Sequence, residues 1–368
     1  MVDWWDVYAR LGTWLRFGVS GDGIRLHHGR DLGDRVDALV GRLGGRCGLD
    51  GVLDDLDRAA TVVVPPTNAA DYAFRWNDED FDDPVWWPQG ITTSADAGHR
   101  PDGSTDTGRK VVVVAWYAKR VNGLTQGVRL SFVDVTDHAH PRYRHVLLVE
   151  PTRRRWSRKV GMRPVPVHAG GIVWYGSAIL VADTLGGIRT FALDDVCHPP
   201  GAWRGHDYVL PQRASYKAMN DRGVRPFRFS FVSLDQTGHQ HQLIAGEYGR
   251  SGSQRLVRFA LEADRAAPVV ERGVARPIEL VTDTFTHMQG ATMVDGVWYI
   301  SSSRGPRPGS LWVRRPGDPA TEHREALATS PEDLSYWPHT DTLWNCTENP
   351  GMRYVYAMPR SQFGTEKR

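Results

Sequence analysis

From residue 88 to residue 360 the chain is a succession of short stretches in which apolar and polar positions alternate, separated by turns rich in Gly, Asp and Asn. A period of two places the apolar side chains on one face of an extended strand, and the turn residues mark where the chain reverses. KVVVVAWYA (110–118) followed by GVRLSFVDV (127–135) is one such pair, and HMQGATMVDGVWYISSS (287–303) followed by GSLWVRRPG (309–317) is another. The stretches repeat as a unit: a short strand, a tight turn, a β-rich strand, a Gly-containing turn and a third strand. Units start near Pro88, His168, Arg228, His287 and Pro331. A more polar fourth strand follows most of them: YRHVLLVEP (143–151), a stretch near 206–212, PIELVT (277–282) and HREALAT (323–329). Five four-stranded units in series predict an all-β chain, a five-bladed β-propeller. The last unit stops after three strands, while AATVVVPPT (59–67) has no local partner. This N-terminal strand is therefore expected to complete the last blade and close the ring, which removes two open sheet edges. The propeller would span 59–363, with 364–368 as a tail.

Residues 1–58 follow a different period. WWDVYARLGTWLRF (4–17) and RDLGDRVDALVGRLGG (30–45) carry apolar residues at helical spacing, and Gly44 and Gly45 stop the second. They predict an N-terminal helical cap.

Composition narrows the function classes. With 40% apolar and 24% charged residues, the 368-residue chain is globular, and it contains no apolar run long enough to span a bilayer. A net charge of +2 lacks the basic surplus on which nucleic-acid binding rests. Cys47, Cys197 and Cys346 are odd in number and widely spaced, which excludes a zinc knuckle or a disulfide framework; free buried thiols are favoured, with one bridge left open. The N-terminus shows no signal peptide, so the expected location is cytoplasmic, or secreted if the chain is a trimmed mature form. No nucleophile elbow, phosphate-cradling glycine loop or HExxH motif occurs, and neither a nucleotide nor a redox cofactor is expected.

Candidate chemistry follows from the repeat. First strands of a radial array line its channel, so the residues just before them converge on the channel mouth. Gln89, Gln289 and Glu332 lie at one level of the repeat, with Trp87, His168, Arg228 and His287 slightly earlier. Loops after the second strands add Tyr117, Lys119, Asp183, Glu247, Arg304 and Glu348 to the same face. His168, His287 and Glu332 are the expected catalytic residues, because imidazole titrates near neutral pH and a carboxyl can serve as its acid partner. The others are expected to bind and orient substrate. A concave mouth with a few convergent polar groups is where ligands bind.

PEDLSYWPHTDTLWNCTE (331–348) and HAGGIVWYGSAILVADTLGGIRTF (168–191) resemble blade signatures of the broad class of gluconolactonase-like, strictosidine-synthase-like and esterase-like phytase propellers. The chain is also similar to a group of actinobacterial propellers that are commonly secreted. The resemblance implies a divalent cation such as Ca²⁺ in the channel, for which Glu332, Gln89 and Gln289 would be the ligands. His168 and His287 depart from that acid-and-amide set, so a metal-free, histidine-centred site stands beside it. The expected function is a monomeric small-molecule enzyme with one active site. It would hydrolyse a lactone or ester, or run a lyase-, cyclase- or isomerase-type proton transfer. The alternative is a non-catalytic propeller that binds a glycan, a small ligand or a protein.

Overall fold

Alternating apolar residues produce antiparallel meanders that follow one another along the chain. The computed structural model describes residues 23–153, 159–252, 254–263 and 265–364. Trp86–Thr93, Val111–Ala118, Val128–Asp134 and Arg142–Arg153 pair in sequence order. Ile172–Tyr175, Ala178–Asp183, Gly187–Ala192 and Tyr208–Asn220 do the same. These two meanders join into one twelve-stranded sheet, because Tyr208–Asn220 runs parallel to Arg142–Arg153. Two four-stranded sheets follow, one starting at Phe231–Asp235 and the other at Met288–Val294. The remaining sheet has five strands and contains Pro331–Trp337, Thr342–Thr347 and Tyr354–Pro359.

The two ends of the strand series meet in that last sheet. Tyr72–Arg75 pairs with Tyr354–Pro359. Within the 59–67 stretch only Thr61–Val62 joins this sheet, one strand further out, against Tyr72–Arg75. The pairing expected of 59–67 is thus made by YAFR, whose alternating residues can form a ladder. Pro65 and Pro66 have no N–H to donate and interrupt the earlier stretch.

The first strands of successive meanders pack against one another in a closed cycle. Trp86–Thr93 lies beside Ile172–Tyr175, then come Phe231–Asp235, Met288–Val294 and Pro331–Trp337, which returns to Trp86–Thr93. Hydrogen bonds stitch the cycle: Trp174 N donates to Thr92 Oγ1 at 3.0 Å, Ser233 Oγ to Ala291 O, and Ile91 N to Asp333 Oδ2 at 3.3 Å. Such close approach needs glycine. A Cβ on Gly171 would sit 2.2 Å from Val232 N, and one on Gly290 would sit 2.6 Å from Asp333 Cα, in both cases against backbone that cannot swing away. Gly171→Ala is therefore expected to destabilise the fold by about 1–3 kcal/mol, as overpacked sites do. The check is a lower urea midpoint at unchanged slope.

Apolar faces of neighbouring sheets form the core, with Trp76, Trp116 and Trp174 among its largest buried side chains. At the N-terminal side a helix, Gly33–Leu43, buries Val36, Leu39, Val40 and Leu43 and stops at Gly44, whose φ of 101° is left-handed. A second helix, Gly48–Leu53, follows. The segment before residue 59 is not helical throughout. Ile24–His28 is a strand on the far half of Tyr208–Asn220, where the length of that strand leaves an edge to cover. The helix expected over 4–17 lies outside the described residues, as do 154–158 of the basic loop and 365–368 of the tail. The three cysteines are free; Cys197 and Cys346 are buried and Cys47 is half-buried. Among the described residues no helix is long and apolar enough to cross a membrane.

Candidate functional site

At one end of the strand cycle lies a cavity of about 460 Å³. Seven of the expected site residues line it: Gln89, Tyr117, His168, Arg228, Gln289, Glu332 and Glu348. They come from well-separated parts of the chain, and the strand cycle brings them together.

Two carboxyl groups define one wall. Glu348 Oε2 accepts a hydrogen bond from Gln89 Nε2 at 2.8 Å, and Glu332 Oε1 accepts one from Gln289 Nε2 at 3.3 Å. Glu332 is 2% exposed. Burial, reinforced by the fields of Glu348 and Asp333, pushes its carboxyl well above the usual range. Burial also raises Glu348, but the Gln89 bond and the positive fields of Lys119 and Arg353 act against the shift. When two carboxyls couple, the proton goes to the one with less support for its charge. Glu332 has the weaker support for its charge, so of the two it is the one that favours its proton.

The facing groups are aromatic. The His168 ring lies 4.3 Å from Tyr117, centroid to centroid, and burial holds its imidazole below the usual histidine range. The ring is therefore neutral at neutral pH and can accept a proton. Burial, with the fields of Glu348 and Glu332, pushes Tyr117 up to about 12, so it remains a neutral phenol.

The other expected residues are placed differently. His287 has a left-handed backbone, φ 60°, with its N–H bonded to Gly249 O at 2.7 Å and its carbonyl accepting from Ser303 N at 3.0 Å. This geometry turns its ring outside the cavity lining, edge-on to Tyr248 at 6.1 Å. Asp183 is used in a turn, accepting from Gly186 N and Arg189 Nε. Glu247 is 1% exposed and is occupied by Arg225 and Arg255 at 2.7 Å each. Arg304 sits outside the lining, with Glu325 at 3.9 Å. Lys119 and Trp87 form a flank: Lys119 Nζ lies 2.9 Å from the Trp87 ring centre, and the Arg353 guanidinium lies 5.7 Å from the same ring.

Several residues in or near the site escaped sequence reasoning. Thr184, Ser230, Phe231 and Tyr248 also line the cavity. Tyr248 directly follows Glu247, so the loop after the second strand was the signal that pointed to it. Asp333 and Asp96 are buried carboxyls near the strand cycle. Asp333 Oδ2 accepts from Ile91 N, whereas Oδ1 has no partner among the described residues. Burial raises Asp333 well above the carboxylate range and pushes Asp96 up to about 6, although Thr92 and Ser335 donate to Asp96. A register shift lies between Pro331 and Leu334, and all of Pro331–Trp337 is buried on both faces, Glu332 and Asp333 included.

Beneath the site lies a sealed charge cluster. Asp80 Oδ1 accepts from Arg129 Nη2 at 2.6 Å, and Asp80 Oδ2 meets Tyr143 OH at 2.6 Å and His145 Nε2 at 3.0 Å. Ser131 Oγ pairs with His145 Nδ1 at 2.9 Å. The Ser–His–Asp order resembles a nucleophile relay, but Ser131 is 0% exposed and no substrate can reach it. The cluster is a support: Arg353 Nη1 donates to Asp80 O at 2.7 Å, and Arg353 Nε to Glu348 O at 2.9 Å.

A divalent cation does not fit the residues proposed for it. The amide nitrogens of Gln89 and Gln289 are turned toward the two carboxyls, and Glu332 is the single carboxyl of the set. Among the described residues no group of three or more His, Cys, Asp or Glu side chains is placed to hold a metal ion.

No known protein family and no curated protein matches the chain. Among solved structures it is similar to the holo form of the PQQ domain of pyranose dehydrogenase from Coprinopsis cinerea, with 11% identity over 73% of this chain and 92% of that one, at a TM-score of 0.29. It is also similar to Trypanosoma rangeli sialidase, with 8% identity over 84% of this chain and 59% of that one, at a TM-score of 0.28.

Proposed function

We propose that the chain is a five-bladed β-propeller, closed by Tyr72–Arg75 on its last blade, that acts as a monomeric small-molecule enzyme with one active site in the cavity. The reading rests on one observation: His168, kept neutral by burial, and Glu332, kept protonated by burial, border the same 460 Å³ space. Two groups whose surroundings push them into complementary protonation states form an acid/base pair.

Lactone or ester hydrolysis suits this pair, as does a proton transfer of the lyase, cyclase or isomerase kind. In hydrolysis His168 takes the proton of the attacking water as its oxygen bonds to the carbonyl carbon. Glu332 gives its proton to the departing alkoxide as the acyl–oxygen bond breaks. The proton on His168 then returns to Glu332 through solvent. Gln89 and Gln289 hold the two carboxyls in place, and Tyr248 packs along the substrate. His287 acts only through its contact with Tyr248.

The test is a screen of lactones and aryl esters with the purified chain near neutral pH. Turnover that disappears in His168→Gln and in Glu332→Gln supports the reading. Turnover that survives both substitutions removes it and leaves the cavity as a binding site.

A further inference from the structure

Arg228 differs from the other cations around the cavity. Glu348 lies in the fields of Lys119 and Arg353, and Arg353 lies also in those of Asp83 and Asp80. Arg228 is exposed and lines the cavity, and among the described residues its guanidinium meets no carboxylate. The acid that bonds the Arg228 backbone is Glu247. Both Glu247 oxygens are already engaged, by Arg255 at 2.7 and 2.8 Å and by Arg225 at 2.7 Å. What Glu247 offers Arg228 is a bond to its backbone N–H, at 3.2 Å.

The same clamp fixes the segment from which Arg228 projects. Arg255 Nη1 donates to Arg225 O at 2.9 Å, and its Nη2 donates to Pro226 O at 2.8 Å. On the other side, Phe229 N donates to Thr184 O at 3.0 Å and Ser230 N to Gly246 O at 2.9 Å. A backbone held on both sides presents a guanidinium that meets no carboxylate among the described residues. Immobilising the segment before a ligand arrives lowers the entropy lost on binding.

We propose that the substrate carries a carboxylate and that Arg228 docks it, an inference that rests on the cavity being the active site. The charge count favours a monoanion. Glu332 is neutral and Glu348 is balanced, so one positive charge remains to be matched inside the cavity. A planar guanidinium suits a carboxylate through two parallel hydrogen bonds. A phosphate dianion would bring a second negative charge toward Glu348, and among the described residues lining the cavity Arg228 is the single Arg or Lys. With the carboxylate on Arg228, the reacting centre of the substrate falls between that rim and the Glu332 wall.

The experiment uses small probes, because the whole substrate is unidentified. Glycolate, its uncharged methyl ester and inorganic phosphate are titrated into the wild-type chain and into Arg228→Gln, with binding read by calorimetry and by melting temperature. Glycolate is expected to bind at millimolar concentration and the methyl ester not to bind. Arg228→Gln is expected to weaken glycolate about tenfold or more, the loss of a charge-assisted bidentate contact. Its melting temperature without probe should match wild type, since Arg228 is exposed. Glycolate that fails to bind wild type, or that binds Arg228→Gln equally well, overturns the proposal. So does phosphate binding through Arg228 as tightly as glycolate. Glycolate binding is read without turnover, so this result is separate from the failure of the acid/base pair.

Discussion

His168→Gln and Glu332→Gln are each expected to lower kcat/KM by about 100- to 10,000-fold, the range over which a positioned acid or base contributes. The two losses have different pH signatures. His168 is held below the usual histidine range by burial, so the wild-type rate should rise as pH increases through that lowered value and the ring becomes neutral. Glu332 is raised well above its usual range by burial and by Glu348 and Asp333, so the rate should fall once pH is high enough to remove its proton. The profile is a bell. His168→Gln should erase the acid limb and Glu332→Gln the alkaline limb, while melting temperature changes little in either variant. An equal loss at all pH values in both variants would point to damage of the cavity wall.

The largest expected effect on stability belongs to Asp80. Its carboxylate is 1% exposed and compensates Arg129, which is 5% exposed. Burial opposes its charge, but His145, Arg129 and Tyr143 outweigh burial and hold the carboxyl far below the usual range. Asp80→Ala removes the carboxylate hydrogen-bonded to the buried Arg129 guanidinium and should cost about 3–5 kcal/mol. A depressed carboxyl stabilises the fold above the unfolded Asp value, near about 4, and this contribution is lost as pH falls toward the folded value. The gap between wild type and Asp80→Ala in urea unfolding should therefore be full at neutral pH and should narrow below about pH 4. A gap that widens on acidification would contradict the assignment.

Much of the strand order was legible because period-two alternation and Gly/Asp turns are local signals. Where the fold departs from the sequence reading, the cause is a non-local partner. Tyr72–Arg75 takes the place expected of 59–67 because it reaches Tyr354–Pro359, a pairing across nearly the whole chain. Tyr208–Asn220 is long enough to bridge two meanders, and the weak alternation near 206–212 gave no hint of that reach. The site shows the same division. Gln89, His168, Arg228, Gln289, Glu332 and Glu348 face the cavity because their position in the repeat sets their depth. Asp183 and Glu247 share that kind of position, yet arginines from a neighbouring strand and from loops capture them, and nothing local marks which acid will be captured. His287 lies outside the cavity lining with a left-handed backbone, and a left-handed φ at a non-glycine residue is invisible in its side-chain type. The burial of Asp333 belongs to a strand covered on both faces, which the polar start of the pattern PEDLSYW does not announce.

The proposed acid/base chemistry depends on Glu332 holding its proton in a wall shared with Glu348. Infrared difference spectroscopy of wild type against Glu332→Gln at neutral pH, with Asp333→Asn as a second reference, reads that state without any substrate. The expected result is a protonated-carboxyl carbonyl band that Glu332→Gln removes and Asp333→Asn leaves in place. Loss of ionised-carboxylate bands in Glu332→Gln instead would mean that Glu332 is already charged, and the cavity would then lack its acid.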